Sequence, residues 1–110
     1  MIRISIYKNN KQEYIGFDAE GHAGFQETGQ DIVCSAASML MINTINSVEQ
    51  FTSDQASVSS EEADARLSYR LKNRPSLEAS LLLDSMVLGL EAMEADENYS
   101  NYIDLIFEEV

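Results

Sequence analysis

The chain of 110 residues has one cysteine, one histidine and one proline, and only seven basic residues stand against nineteen acidic ones. A single cysteine closes no internal disulfide, which agrees with a reducing compartment. No apolar run is read as reaching the roughly 18 residues of a membrane-crossing helix. The start, Met1-Ile2-Arg3-Ile4-Ser5-Ile6-Tyr7, lacks a basic region followed by an apolar stretch and a small-residue cleavage site. A cytoplasmic protein is therefore expected. The shortage of positive charge leaves a formal charge of −12. Such a surface repels phosphate backbones and anionic lipid, so neither direct nucleic-acid binding nor a membrane role is expected. It attracts a basic partner or substrate, although solubility alone also accounts for the charge.

With 45% hydrophobic and 24% charged residues, the composition is that of a folded domain, and the length suits one core spanning residues 1–110. Ile2, Ile4 and Ile6 alternate with Arg3, Ser5 and Tyr7, the period of a half-buried strand. After the polar turn Lys8-Asn9-Asn10-Lys11 the alternation resumes through Ile15, Phe17 and Ala19, which predicts an antiparallel hairpin. Between about Asp31 and Phe51, apolar residues from Ile32 to Val48 recur at three- and four-residue steps, a helix of about five turns capped by Thr28 or Asp31. Ala56–Ser60 and Ala65–Leu71 read as a second, weaker hairpin. Pro75 opens a second helix over about Ser76–Asp96, and Tyr102–Phe107 is a last strand. The expected fold is α+β, a mostly antiparallel sheet with two helices packed on it in the order β-β-α-β-β-α-β. Arg66, Arg70, Lys72 and Arg74 are four of the seven basic residues, and they fall along the fourth strand and its exit. Glu91, Glu94, Asp96 and Glu97 crowd the end of the second helix, where the macrodipole disfavours negative charge.

His22 lies between Gly21 and Gly24, ahead of the first helix, and Cys34 lies in what reads as that helix's first turn. Unpaired amides and the positive dipole end stabilise a thiolate there, and an adjacent imidazole raises its fraction further. The same amides can donate to a developing oxyanion. Against this stand two plainer roles, a small core residue for Cys34 and an exposed loop residue for His22. Asp31 at i−3 and Ser38 at i+4 share the helix face of Cys34. Asp31 orients His22, caps the helix, or does both; Ser38 serves the site or bonds back to the carbonyl of Cys34. One cysteine and one histidine fall short of the three or four ligands of a zinc site, so no metal and no cofactor are expected.

Gly21-His22-Ala23, a glycine-containing segment, and Gly29-Gln30-Asp31-Ile32-Val33-Cys34-Ser35-Ala36-Ala37-Ser38, with eleven residues between His22 and Cys34, resemble the signature of the bacterial ribosomal-processing cysteine proteases. The resemblance extends to the length, the element order, the isoleucine-rich first strand and Glu97-Asn98-Tyr99. It implies a homodimeric cysteine endopeptidase that removes the N-terminal extension of large-subunit ribosomal protein twenty-seven in Firmicutes and relatives. It also implies a dyad of Cys34 as nucleophile and His22 as base and then acid, with Asp31 and Ser38 beside the nucleophile. A mobile loop over about Ala23 to Gln30 is implied too, with Gly21, Gly24, Phe25 and Gly29 in or beside it. Many members carry a loop tyrosine where this chain has Glu27-Thr28-Gly29, which leaves Phe25 as the loop's aromatic candidate. A basic ribosomal protein would be steered in by the acidic surface. Two rivals remain at this stage: a non-catalytic acidic module that binds a ribosomal protein or assembly factor, and a thiol redox enzyme working with a partner's thiol.

Overall fold

A computed structural model describes residues 1–21, 28–61, 63 and 65–110, with the backbone alone at 28–31. Five strands, β1 (Ile2–Lys8), β2 (Tyr14–Glu20), β3 (Ala56–Glu61), β4 (Arg66–Leu71) and β5 (Ile103–Glu109), form one sheet. Two helices, α1 (Thr28–Phe51) and α2 (Leu77–Ala95), complete the order β-β-α-β-β-α-β, with a 3₁₀ turn at Ser100–Tyr102 before β5. Across the sheet the strands lie β3-β4-β2-β1-β5. All neighbours are antiparallel except β1 and β5, which run parallel. The α+β expectation holds. The parallel pair was not anticipated, because side-chain alternation is the same for both senses of pairing.

Register puts the alternating residues on one face. Ile4 and Ile6 stand opposite Ala19 and Phe17, Phe17 stands opposite Tyr69, and Ile2 and Ile4 stand beside Ile103 and Leu105. Together with Val33, Ala37, Met41 and Val48 of α1 and Ala79, Leu83, Met86, Val87 and Leu90 of α2, they form a single buried cluster. Each fully buried Val, Leu, Ile, Phe or Met side chain among them contributes about 1.5–3 kcal/mol. The opposite face is polar: Tyr7 donates to Asp18 Oδ2 at 2.7 Å, and the Arg70 guanidinium lies 4.3 Å from the Tyr7 ring centroid. Burial pushes the Asp18 carboxyl up, but hydrogen bonds from Tyr7 and Ser68 outweigh it and hold the group below its ordinary range. The Asp18 hydrogen bond is also the chief reason the Tyr7 phenol is raised.

Three local details differ from the sequence reading. α1 begins at Thr28, not near Asp31, because packing along the rest of the helix overrides the cost of Gly29, about 1 kcal/mol. Pro75 is buried just ahead of α2, and Ser76 is the cap: its Oγ accepts the Ala79 N–H at 3.1 Å and donates to Asp54 Oδ1. The acids at the end of α2 divide by role. Glu94 Oε2 accepts the Leu105 N–H of β5 at 2.8 Å, and Asp96 Oδ1 accepts the Asn98 N–H, whereas Glu91 and Glu97 are exposed. Glu94 thus blunts the outer edge of β5, which offsets the dipole cost of its position.

The stretch Ile32–Phe51 of α1 is long and apolar enough to cross a bilayer by length and composition alone, a test that a core helix also meets. One side of it, through Val33, Ala37, Met41 and Val48, belongs to the same core as the strands.

Candidate active site

Gly21 ends β2 with φ +89°. A Cβ there would stand 2.7 Å from the Met1 carbonyl oxygen, so both backbone angle and space require glycine. The segment that carries His22 follows Gly21, and seven positions after Gly21 the chain enters α1. A cavity of about 430 Å³ adjoins Gly21, lined among the described residues by Met1, Arg3, Glu20 and Gly21.

Cys34 sits on α1 six positions after Thr28, on the face that carries Val33, Ala37 and Met41 into the core, with 6% of its surface exposed. Small neighbours surround it along the helix: Ser35 and Ala36 are exposed, Ala37 is buried, and Ser38, one turn on, is half-buried. The start at Thr28 changes the electrostatic argument. Amides with no intrahelical acceptor run up to Gln30, so the Cys34 amide belongs to the second turn, where the dipole's influence has declined. An oxyanion donor from Cys34's own N–H, expected from a helix starting at Asp31, does not follow from this helix.

Asp31 is the fourth residue of α1, inside the helix and not at its cap; its side chain lies outside the described residues. His22, Gly24 and Phe25 also lie outside them. Gly29, expected in a loop, is the second residue of α1. The structure therefore sets Cys34 and Ser38 on one helix face and Gly21 directly before the segment that carries His22, which lies outside the described residues. Among the described residues no group of three or more His, Cys, Asp or Glu is placed to hold a metal ion.

Sequence reasoning missed the surroundings of Tyr69. Its ring is 2% exposed and packs on Phe17 with centroids 5.5 Å apart. Its hydroxyl is buried with no hydrogen-bond partner among the described residues. Burial, followed by the charges of Asp54 and Glu49, pushes the phenol up to about 12. The signal was faint: one tyrosine at an inward position of a short strand.

A family model described as Cysteine protease Prp matches residues 1–104. The chain is 28% identical over 98 residues to the Ribosomal processing cysteine protease Prp of Staphylococcus aureus (strain Mu50 / ATCC 700699), covering 89% of this chain and 92% of that protein. A crystal structure of the essential ribosomal processing protease Prp from S. aureus in complex with a substrate peptide superposes with a TM-score of 0.90 at 27% identity, covering 98% of this chain and 100% of that one. A second, with a covalently linked product peptide, gives 0.85 at 28% identity over the same shares.

Proposed function

The chain belongs to the Cysteine protease Prp family and is a cysteine endopeptidase, and from that premise we propose that it matures a ribosomal protein through a dyad of Cys34 and His22. The substrate we assign is the precursor of large-subunit ribosomal protein twenty-seven, cut at its N-terminal extension in the cytoplasm by a single domain spanning residues 1–110. One observation carries the reading: this fold, over nearly its whole length, is that of an S. aureus protease solved with a substrate peptide and with a covalently linked product peptide. In this chain Cys34 is the one side chain able to form a thioester.

In the proposed reaction His22 takes the Cys34 thiol proton, and the thiolate adds to the scissile carbonyl. The C–N bond breaks as His22 returns the proton to the leaving amine, leaving an acyl-enzyme thioester. Water, deprotonated by His22, then releases the acid and restores the thiol. Because the Cys34 amide lies past the first turn, the imidazole supplies more of the thiolate's stabilisation than the helix dipole does. Asp31 and Ser38 are positioning residues for this pair, and the part of the loop ahead of α1, residues 23–27, closes over the bound peptide to exclude water. Net charge −12 steers the basic substrate in.

We also assign a homodimer. Leu77, Leu81 and Leu88 are 87%, 69% and 70% exposed and share one stripe of α2, an apolar surface that a second copy would cover. Leu83, grouped with Leu81 and Leu88 by the sequence pattern, is buried instead. Sedimentation of Leu81→Glu and Leu88→Glu variants tests this; dimers from both would discard the α2 interface.

The deciding experiment incubates wild type, Cys34→Ala and His22→Ala with a peptide spanning the precursor extension and the first mature residues, and reads product masses over time. Cleavage at one bond by wild type alone is expected. A folded wild type that cuts neither the peptide nor the intact precursor would favour the acidic binding module instead.

A further inference from the structure

Between the C-terminal half of α1 and the inner face of the β3–β4 hairpin lies a cavity of about 410 Å³, remote from Cys34. Its walls include Ile45 and Val48 from α1, Val58 from β3 and the ring of Tyr69 from β4. Three polar groups converge on it. The Tyr69 hydroxyl is buried and without a partner among the described residues. Glu49 and Lys72, on opposite walls, have no ion-pair partner among the described residues. Asp54, also in the lining, is already committed to the Ser76 amide and hydroxyl. A stranded hydroxyl costs about 1–3 kcal/mol, a cost that a ligand with a carbonyl acceptor would remove.

We propose that this cavity is an exosite for a basic residue of the polypeptide substrate, with Glu49 taking the cationic side chain and Tyr69 and Lys72 donating to peptide carbonyls. The proposal rests on the reading that a basic ribosomal protein is the substrate. Three properties select a basic peptide over other ligands. The chain as a whole carries −12, so cations are concentrated near it. The apolar walls suit the methylene stem of lysine or arginine. The phenol, held near 12, stays a neutral O–H donor at any physiological pH. Eleven to fifteen residues separate Cys34 from Ile45 and Glu49 along α1, about 17–23 Å at 1.5 Å per residue. An extended peptide covers that span in about five to seven residues. The exosite thus reads a basic residue at that distance from the scissile bond.

The test compares wild type, Tyr69→Phe and Glu49→Gln on two substrates: a peptide reaching only three residues to either side of the cut, and the intact precursor. Expected is a KM for the precursor raised about threefold to tenfold, the worth of one hydrogen bond, with kcat unchanged and no effect on the short peptide. Tyr69→Phe should melt at or above the wild-type temperature, since it removes a stranded hydroxyl, which separates a binding loss from a folding loss. Equal KM values on both substrates would overturn the proposal and leave a water-filled cleft. A direct arm titrates the Cys34→Ala protein with a non-cleavable seven-residue peptide containing two lysines and follows amide shifts at Glu49 and Tyr69. Shifts that vanish when Glu49→Gln is added, where wild type cuts no precursor, would retain the peptide site while removing the assigned substrate. Absent shifts alongside normal cleavage would do the reverse.

Discussion

Around Cys34, α1 is built from small side chains, with Ser35, Ala36, Ala37 and Ser38 following it, and its one reactive atom is almost covered. Fourteen residues on, around Val48, the same helix carries larger side chains and overhangs the β3–β4 hairpin, leaving a cavity whose hydroxyl and two of whose charges have no partner among the described residues. The first end is conspicuous in sequence and sparse in described geometry; the second is the reverse. Chemistry that needs a particular atom leaves a motif, because no other residue type will serve. A recess that binds by shape and charge can be assembled from ordinary strand and helix positions.

The sharpest way to break this contrast is Cys34→Ala. It should lower kcat/KM about a thousandfold or more while changing unfolding free energy by less than about 1 kcal/mol, because little volume is removed. Measured activity in that variant would make Cys34 a core residue and nothing more. Phe17→Ala addresses both ends together, since Phe17 is fully buried and packs on Tyr69. Denaturant unfolding should show a loss of about 3–5 kcal/mol; a smaller loss would mean that the hairpin end is only loosely joined to the core.

Two glycines sharpen the comparison at smaller cost. A Cβ at Gly16 would lie 2.2 Å from the Tyr69 carbonyl oxygen, so Gly16→Ala must part β2 from β4 and should cost about 1–3 kcal/mol, with a raised KM for the precursor. Gly21→Ala meets φ +89° and the Met1 carbonyl, and should cost about 1–2 kcal/mol while lowering kcat through the adjoining His22 segment. Similar kinetic signatures in the two would erase the division of labour. The smallest effect belongs to Asp54→Asn. Burial pushes the Asp54 carboxyl up, but hydrogen bonds from Ser76 outweigh it and hold the group below its ordinary value. A depressed carboxylate stabilises the fold above the unfolded pKa near 3.9 and loses that contribution as pH falls through the folded value. The melting-temperature gap between wild type and Asp54→Asn, worth about 1 kcal/mol as a weakened cap, should be constant near neutrality and close below about pH 4. A gap that persists at pH 2 would mean that the carboxylate's charge contributes nothing.

Much of this was readable beforehand, for identifiable reasons. Ile2, Ile4 and Ile6 alternate because one face of β1 is buried and the other is polar, and period-two patterns survive any topology. Leu82, Met86, Leu90 and Met93 read as the inward stripe of α2 with Leu81, Leu83 and Leu88 outside it; Met86 and Leu90 are buried, but only packing buried Leu83 and left Leu82 and Met93 half-exposed. The start of α1 stayed open between Thr28 and Asp31 because Gly29 argues locally against a helix that distant contacts stabilise. Cys34 was visible through its spacing from His22 and its sequence context. Glu94 looked like a misplaced acid until the Leu105 amide appeared opposite it.

By itself, the sequence determined the elements and their order, the acidic field and the identity of the one possible thiol nucleophile, because these depend on residue type and on spacing along the chain. Tertiary structure alone decided that β5 lies parallel beside β1, that Cys34 sits in the second turn of α1 and that Tyr69, Glu49 and Lys72 share a cavity. Such facts depend on which distant segments meet, and neither hydrophobic period nor local propensity encodes that meeting.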